Sequence, residues 1–302
     1  MALAAKGAAA HDGARNVVLC LGRIYCDLIF TGAPSLPVLG REVFSEALDI
    51  IPGGGAPITA GHFAAVGRPA ALLARLGVDG LSESILPAIE AAGIDLRFLE
   101  RSPSAGPQVT AAMVLGGERA FLSRRAGAAR PATLDAALTW PQARHLHIAE
   151  YASLHEMPGL IAQAKAHGLT VSLDPSWDET LIHAPDLLEK CAGVDVFLPN
   201  MEEARAITGA SDPFVALETL ARRFPVVALK VGPDGALGSM HEETARRPAR
   251  AVRAVDTTGA GDAFNAGFLH AWLEGSGLDA CLDAGMTQGA IAVQTVGGLP
   301  PR

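Results

Sequence analysis

The chain has 302 residues, a formal net charge of -8, 49% hydrophobic and 19% charged residues, and a mean hydropathy of +0.27. A chain of this length and composition excludes disorder and buries a large core, as one α/β domain or two smaller ones. The acidic balance, without any long run of lysine or arginine, excludes a nucleic-acid-binding surface, and no apolar stretch approaches the ~20 residues that span a membrane.

Residues 1–15, MALAAKGAAAHDGAR, hold no continuous leucine-rich segment and read as a frayed tail, not a signal peptide. NVVLCLG (16–22) predicts a buried strand that opens into a functional loop, with Asp27 close behind. After proline-punctuated GAPSLPVLG, alternation in REVFSEALDIIPGGG predicts a half-exposed strand over about 43–51, ending in three glycines. Residues 60–66 suit a helix, AALLARLG (70–77) a strand and LSESILPAIEAAGID another helix. GPQVTAAMVLGGERAFLSRRAG (106–127) reads as a hairpin, two period-2 strands around GGE, which with 43–51 forms a small separate sheet.

Beyond it, strands ARHLHIA, LTVSLDP, VDVFLPN and PVVALKVG alternate with helices MPGLIAQAKAHG, APDLLEKCAG, EEARAITG and PFVALETLARRF. This order implies a parallel sheet covered on both faces, with ligand sites at the C-terminal ends of the strands. Asp174, Asn200 and Lys230 fall at such ends. The expectation is one domain over 16–302, with inserted segments at about 28–52 and 106–127.

The four cysteines show no C-x-x-C spacing and sit in apolar contexts, so a reducing, cytoplasmic setting is expected. His145 and His147 share one face of a strand, but no third residue at metal-ligand spacing accompanies them, which favours a structural role.

DTTGAGDAFNAGF (256–268) carries the densest chemistry. Its glycines free the backbone to turn, and the following helix start offers unpaired N–H groups and a positive dipole end to an anion. Asp262 there is either a helix N-cap or a chemically active carboxylate. From Gly259 the sixth position is Phe264, which breaks a G-x-G-x-x-G fingerprint, and no lysine follows a glycine, which excludes a Walker loop.

This stretch resembles the C-terminal signature of the PfkB carbohydrate kinase family, with its ribokinase-like fold. Further matches occur in family order: GRIYCD, PGGGAPITAGHFAAVG, LPNMEEA in place of an N-x-x-E element, and LKVGPDGALG in place of a nucleotide turn. The resemblance implies a three-layer α/β sandwich with a mostly parallel central sheet and a small β-sheet lid. It implies Asp262 as general base, with the amides of Gly259, Ala260 and Gly261 stabilising the transferring phosphoryl group. Asn200 and Glu203 would hold Mg²⁺ through water, and Lys230, Gly232 and Gly235 would line ATP. Asp256 and Thr258 match positions that bind a monovalent cation such as K⁺ in some relatives; ordinary turn roles stay open for both.

At the acceptor end, the resemblance assigns Asp27, Gly53 and Gly54 to the sugar, and Arg125 to a position found in several sugar-kinase branches. Ile58 departs from the pattern, since the family places a sugar-contacting asparagine there and isoleucine forms no side-chain hydrogen bond. The implied activity is ATP-dependent phosphorylation of a hydroxymethyl group of a sugar or sugar acid. A nucleoside acceptor, conceivable from Ile58 and Phe63, and a non-catalytic sugar-binding relative are the alternatives. A homodimer through the small sheet is a further expectation. Asp174 and Asp178 are given no role by the sequence.

Overall fold

The computed structural model describes residues 15–115 and 118–300; the expected tail over 1–14 and the glycines of the hairpin turn lie outside them. The first half of the chain runs through β1 (Val17–Leu21), β2 (Tyr25–Thr31), β3 (Ala47–Gly53), α1 (Gly55–Ala65), β4 (Ala70–Leu73), β5 (Arg75–Leu76), α2 (Gly80–Ala91), β6 (Glu100–Arg101), β7 (Val109–Leu115), β8 (Glu118–Arg124), α3 (Leu134–Leu138), β9 (Ala143–Ile148) and α4 (Tyr151–His155). It continues through α5 (Leu160–Ala166), β10 (Thr170–Leu173), α6 (Leu187–Lys190), β11 (Val196–Phe197), α7 (Met201–Thr208), α8 (Pro213–Ala221), β12 (Val226–Lys230), β13 (Ala236–Met240), β14 (Glu243–Arg247), α9 (Ala260–Leu273) and α10 (Leu278–Ala292).

Eight strands form the main sheet in the order β14-β13-β12-β11-β10-β9-β1-β4. The pairs from β12 to β4 are parallel, and β13 and β14 extend the sheet antiparallel. Strand alternation deals side chains to two cores. Val17, Leu19 and Leu21 of β1 join residues of α3 to α8 on one face, and Val18 and Cys20 join α1, α2, α9 and α10 on the other. The result is the expected three-layer sandwich, and among the described residues no helix is long and apolar enough to cross a membrane.

A separate four-stranded sheet has the order β3-β2-β7-β8. Its strand β2 carries Asp27 and pairs antiparallel with β3 and parallel with β7. The apolar run around Asp27 hides this strand from a period-2 reading. The predicted strand over 70–77 is in fact two: β4 joins the main sheet, while β5 pairs with β6. Helix α1 starts at Gly55, earlier than 60, because Pro57 falls in its first turn, where a proline is tolerated. The helix expected in APDLLEKCAG shrinks to Leu187–Lys190, and the strand expected over 43–51 lies at Ala47–Gly53.

The junction between β3 and α1 is the glycine triplet 53–55, and each member is required by a different contact. A Cβ on Gly53 would lie 2.0 Å from Oδ2 of Asp27, one on Gly54 2.3 Å from the Arg23 carbonyl oxygen, and one on Gly55 2.8 Å from Oδ1 of Asp262. Gly54 also holds φ 95°, where a side chain is strained. Gly54→Ala should therefore cost about 1–3 kcal/mol of strain at least, read as a lower denaturation midpoint. Gly67→Ala, at φ 79° but with nothing within 4 Å, should cost less; equal losses would remove the steric part of the explanation.

Candidate active site

The C-terminal ends of β10, β11 and β12 and the N-terminus of α9 enclose a cavity of about 960 Å³, lined among others by Asp174, Asn200, Glu203, Lys230, Gly261 and Asp262. Gly259 is the N-cap of α9 in the left-handed conformation, at φ 72°. A Cβ there would lie 2.6 Å from the Cα of Gly298, so the turn needs glycine on both counts. The amide of Ala260 donates to the Thr257 carbonyl at 3.4 Å, while those of Gly261 and Asp262 have no backbone acceptor among the described residues.

Asp262 is not the N-cap. It lies in the first turn after Gly259, and among the described residues its carboxylate accepts no hydrogen bond. Burial, then the nearby charge of Asp174, push its pKa up to about 7, with Lys230 acting in the opposite direction. A carboxylate with that pKa, open to the cavity, exchanges a proton readily near neutrality.

Lys230 ends β12 and donates to Oδ2 of Asp174 at 2.5 Å and to Oδ1 of Asn265 at 3.2 Å. Asn265 closes the triangle through Nδ2, which donates to Asp174 Oδ2 at 2.6 Å. Asn265 lies inside the α9 motif but was not singled out by its sequence; its signal is its spacing three residues after Asp262, which puts both on one face of the helix.

Asn200 and Glu203 form a capping box at the start of α7: Oδ1 of Asn200 accepts from the Glu203 amide at 2.9 Å, and Oε2 of Glu203 from the Asn200 amide at 2.7 Å. The helix-start role left open by the sequence is thus present. Both side chains also line the cavity. Burial, then Asp174, raise the pKa of Glu203 well above the usual carboxylate range, the response expected of an acid beside other acids that a cation would relieve. Among the described residues no group of three or more His, Cys, Asp or Glu can hold a metal directly. An all-oxygen pair fits a hard divalent ion kept at water's length.

On the other side of the glycine triplet, burial followed by the charge of Asp256 raises the pKa of Asp27 to about 6. In register, Asp27 faces Thr110, which faces Ser123, so the three form a polar row on one face of the small sheet. Thr110 and Ser123 hydrogen bond at 3.0 Å; neither was picked out by the sequence, because the row exists only once the strands pair. Arg125 is tied to Asp178 at 2.6 Å and to the Tyr25 hydroxyl at 3.4 Å, bridging the small sheet and the loop after β10.

Ile58 packs beneath the turn that opens α9. It is buried, its Cδ1 lying 2.4 Å from where Gly298 would carry a Cβ and its Cγ2 3.0 Å from the same point on Gly259. Phe63 is fully buried in the core. Neither residue therefore lends support to a nucleoside acceptor.

Gly232 and Gly235 bound a tight turn after β12, at φ 58° and φ 101°, and both line the cavity. Asp256 Oδ1 accepts from the amide and hydroxyl of Thr258 at 2.9 and 2.8 Å, and Oδ2 from the amide of Gly297, the turn role that the sequence left open. His145 and His147 hydrogen bond to Thr170 and Ser172 within the sheet, a structural arrangement.

The model of the pfkB family carbohydrate kinases matches residues 18–301. The ATP-dependent 6-phosphofructokinase of Thermoanaerobacterium thermosaccharolyticum is 32% identical over 150 residues, 46% of this chain and 45% of that one, so the match spans less than half of that relative. The deoxyribokinase of Salmonella typhi is 25% identical over 293 residues, 91% of this chain and 92% of its own. In fold, the ribokinase of Arabidopsis thaliana complexed with ribose and ATP superposes with a TM-score of 0.81 at 21% identity, covering 95% of this chain and 96% of that one. With its main and four-stranded sheets, its α9 signature and a family match over nearly its whole length, the chain belongs to the pfkB family of carbohydrate kinases.

Proposed function

We propose that this chain transfers the γ-phosphoryl group of ATP to a hydroxymethyl group of a sugar or sugar acid. The observation that carries the reading is Asp262: a carboxylate in the first turn of α9, free of protein donors among the described residues, with its pKa raised to about 7 at the edge of the large cavity.

Asp27 and Asp262 lie against the first and last glycines of the triplet. These glycines are two residues apart, at most ~7 Å of chain. An acceptor between the carboxylates gives its secondary hydroxyls to Asp27 and its primary hydroxyl to Asp262. Gly53 and Gly54 let it approach the backbone, and Arg125 stands at the seam for a polar or acidic end.

Asp262 takes the hydroxyl proton as the oxygen attacks the γ-phosphorus, and the bond to ADP breaks with its electron pair leaving on ADP. The amides of Gly261 and Asp262, which lack backbone acceptors among the described residues, and the dipole of α9 meet the charge that spreads over the phosphoryl oxygens, while Gly259 and Ala260, whose amide bonds to Thr257, shape the turn. ATP lies along Gly232, Gly235, Asn200 and Lys230. Asn200 and Glu203 would hold Mg²⁺ through water, and the ion would supply charge neutralisation to the phosphates.

The small sheet acts as a lid over the acceptor, since phosphoryl transfer needs water kept out. Leu48, Ile50 and Leu122, on the face opposite Asp27, are 48%, 44% and 77% exposed, a surface suited to a second copy of the chain.

Asp262→Asn should lower kcat by ~10²–10⁴ with ATP affinity nearly unchanged. Because the base must be ionised, wild-type kcat/KM should fall as pH drops through about 7, in an ADP-release assay across sugars and sugar acids. A flat acid limb, or a fully active Asn variant, would remove Asp262 from the chemistry.

Glu203→Gln keeps an acceptor for the capping box but loses the charge. The Mg²⁺ concentration for half-maximal rate should rise ~10–100-fold, with the acceptor KM little changed; an unmoved magnesium titration would leave Glu203 as a helix-start residue.

Acceptor binding should slow amide exchange in β2, β3, β7 and β8 more than in α4 to α6. Uniform protection across the chain would refute the lid.

A further inference from the structure

We propose that Lys230 is a catalytic residue whose ammonium donates to a non-bridging oxygen of the transferring phosphoryl group, held in place by Asp174 and Asn265 as positioning residues. This rests on the phosphotransferase reading above and assigns the charge that completes it.

A lysine ammonium has three donors. Two are taken, by Asp174 Oδ2 and Asn265 Oδ1; the third has no acceptor among the described residues. Its direction is set by the surroundings. Nζ lies 3.5 Å from the point where Gly261 would carry a Cβ, so it stands beside the first turn of α9, whose Gly261 and Asp262 amides also lack backbone acceptors. Lys230, Gly261 and Asp262 line the same cavity. Two amides, a helix dipole and an ammonium thus converge on one spot, next to the carboxylate that takes the acceptor's proton.

The triangle is built to hold this lysine still. Asp174 accepts Lys230 and Asn265 on Oδ2, while its Oδ1 accepts the amide of Ser176 at 3.0 Å. Asn265 has one workable amide orientation, with oxygen toward the ammonium and nitrogen toward the carboxylate. The side chains of Lys230 and Asp174 are 12% and 8% exposed. Burial alone lowers the pKa of Lys230, but Asp174 and then Glu203 outweigh it and raise the value, so the ammonium keeps its proton throughout turnover.

During transfer, the acceptor oxygen forms its bond to the γ-phosphorus, its proton passes to Asp262, and the electron pair of the breaking P–O bond goes to ADP. Lys230 gives up no proton; it strengthens one hydrogen bond as negative charge gathers on the phosphoryl oxygens. Asp174, whose sequence context gave it no role, positions Lys230 and adds its charge to the field at Asp262.

The test is binding, which needs no knowledge of the acceptor. Dissociation constants of the full chain are measured with Mg²⁺ for ADP alone and for ADP with aluminium fluoride, a mimic of the transferring group. Lys230→Met should weaken the aluminium fluoride complex about 10–100-fold, the size of one charge-assisted hydrogen bond, and ADP alone by less than about threefold. Asp174→Asn should show a smaller loss of the same kind. The double variant should lose no more than Lys230→Met, because a positioning residue has nothing left to position. Should Lys230→Met fail to fold with Asp174 buried and unpaired, the double variant carries the comparison with wild type.

Equal weakening of both ligands, no weakening of either, or full additivity in the double variant would overturn the proposal. The outcomes also separate the two readings. If the wild-type chain binds ADP without preferring the aluminium fluoride complex, the phosphotransferase reading falls. If wild type prefers it and Lys230→Met retains that preference, only the role of Lys230 falls.

Discussion

One ion pair fixes the geometry on which the site depends: the ammonium of Lys230 against the carboxylate of Asp174 at 2.5 Å, at the ends of β12 and β10. Taking both charges out of water costs several kcal/mol per ion, a cost that the pair offsets only with good geometry and further hydrogen bonds. Asn265 and the Ser176 amide supply them. Asn265 lies on α9, so the pair reaches across from the sheet to that helix and sets its rotation about its own axis. Asp262, three residues earlier on the same face, is aimed by the same constraint. The Thr59 hydroxyl adds a bond to the Asp262 carbonyl in the same turn, and Arg68 and Arg144 tie the far end of α9.

The same crowding sets the electrostatics. Asp174, Glu203 and Asp262 all act on Lys230, and each of the latter two carboxylates has its pKa raised first by burial and then by Asp174. Carboxylates crowded in this way favour a neighbouring positive charge, which Lys230 supplies. A structural core would have no use for that arrangement.

A second constraint works at the seam between the two sheets. Arg23 is buried, and its guanidinium donates to Gln108, to the carbonyls of Ala126 and Gly127, and to Glu156. These bonds tie both flanks of the β7–β8 hairpin to the body of the protein. The glycine triplet, beside the Arg23 carbonyl, sits at the same seam. The small sheet is thus tied to the body by this cluster on its β7–β8 side and by packing of β3 against α1 and α2, and of β2 against α2, on the other.

The sequence by itself determined the layers and the turn that opens α9: alternating strands and helices dictate a parallel sheet covered on both faces, and Gly-Ala-Gly-Asp before an apolar helix dictates a tight glycine turn with a carboxylate in the first helical turn. Those signals are local, written within a turn or two of chain. Tertiary structure alone decided the rest, since it depends on contacts between residues far apart in sequence. It packed Ile58 against Gly259 and Gly298, made Asp174 the partner of a lysine 56 residues away, and set Asp27, Thr110 and Ser123 in one row across three strands. A side chain's neighbours across a sheet or beneath a helix are fixed by how distant segments pack, and no spacing along the chain records them.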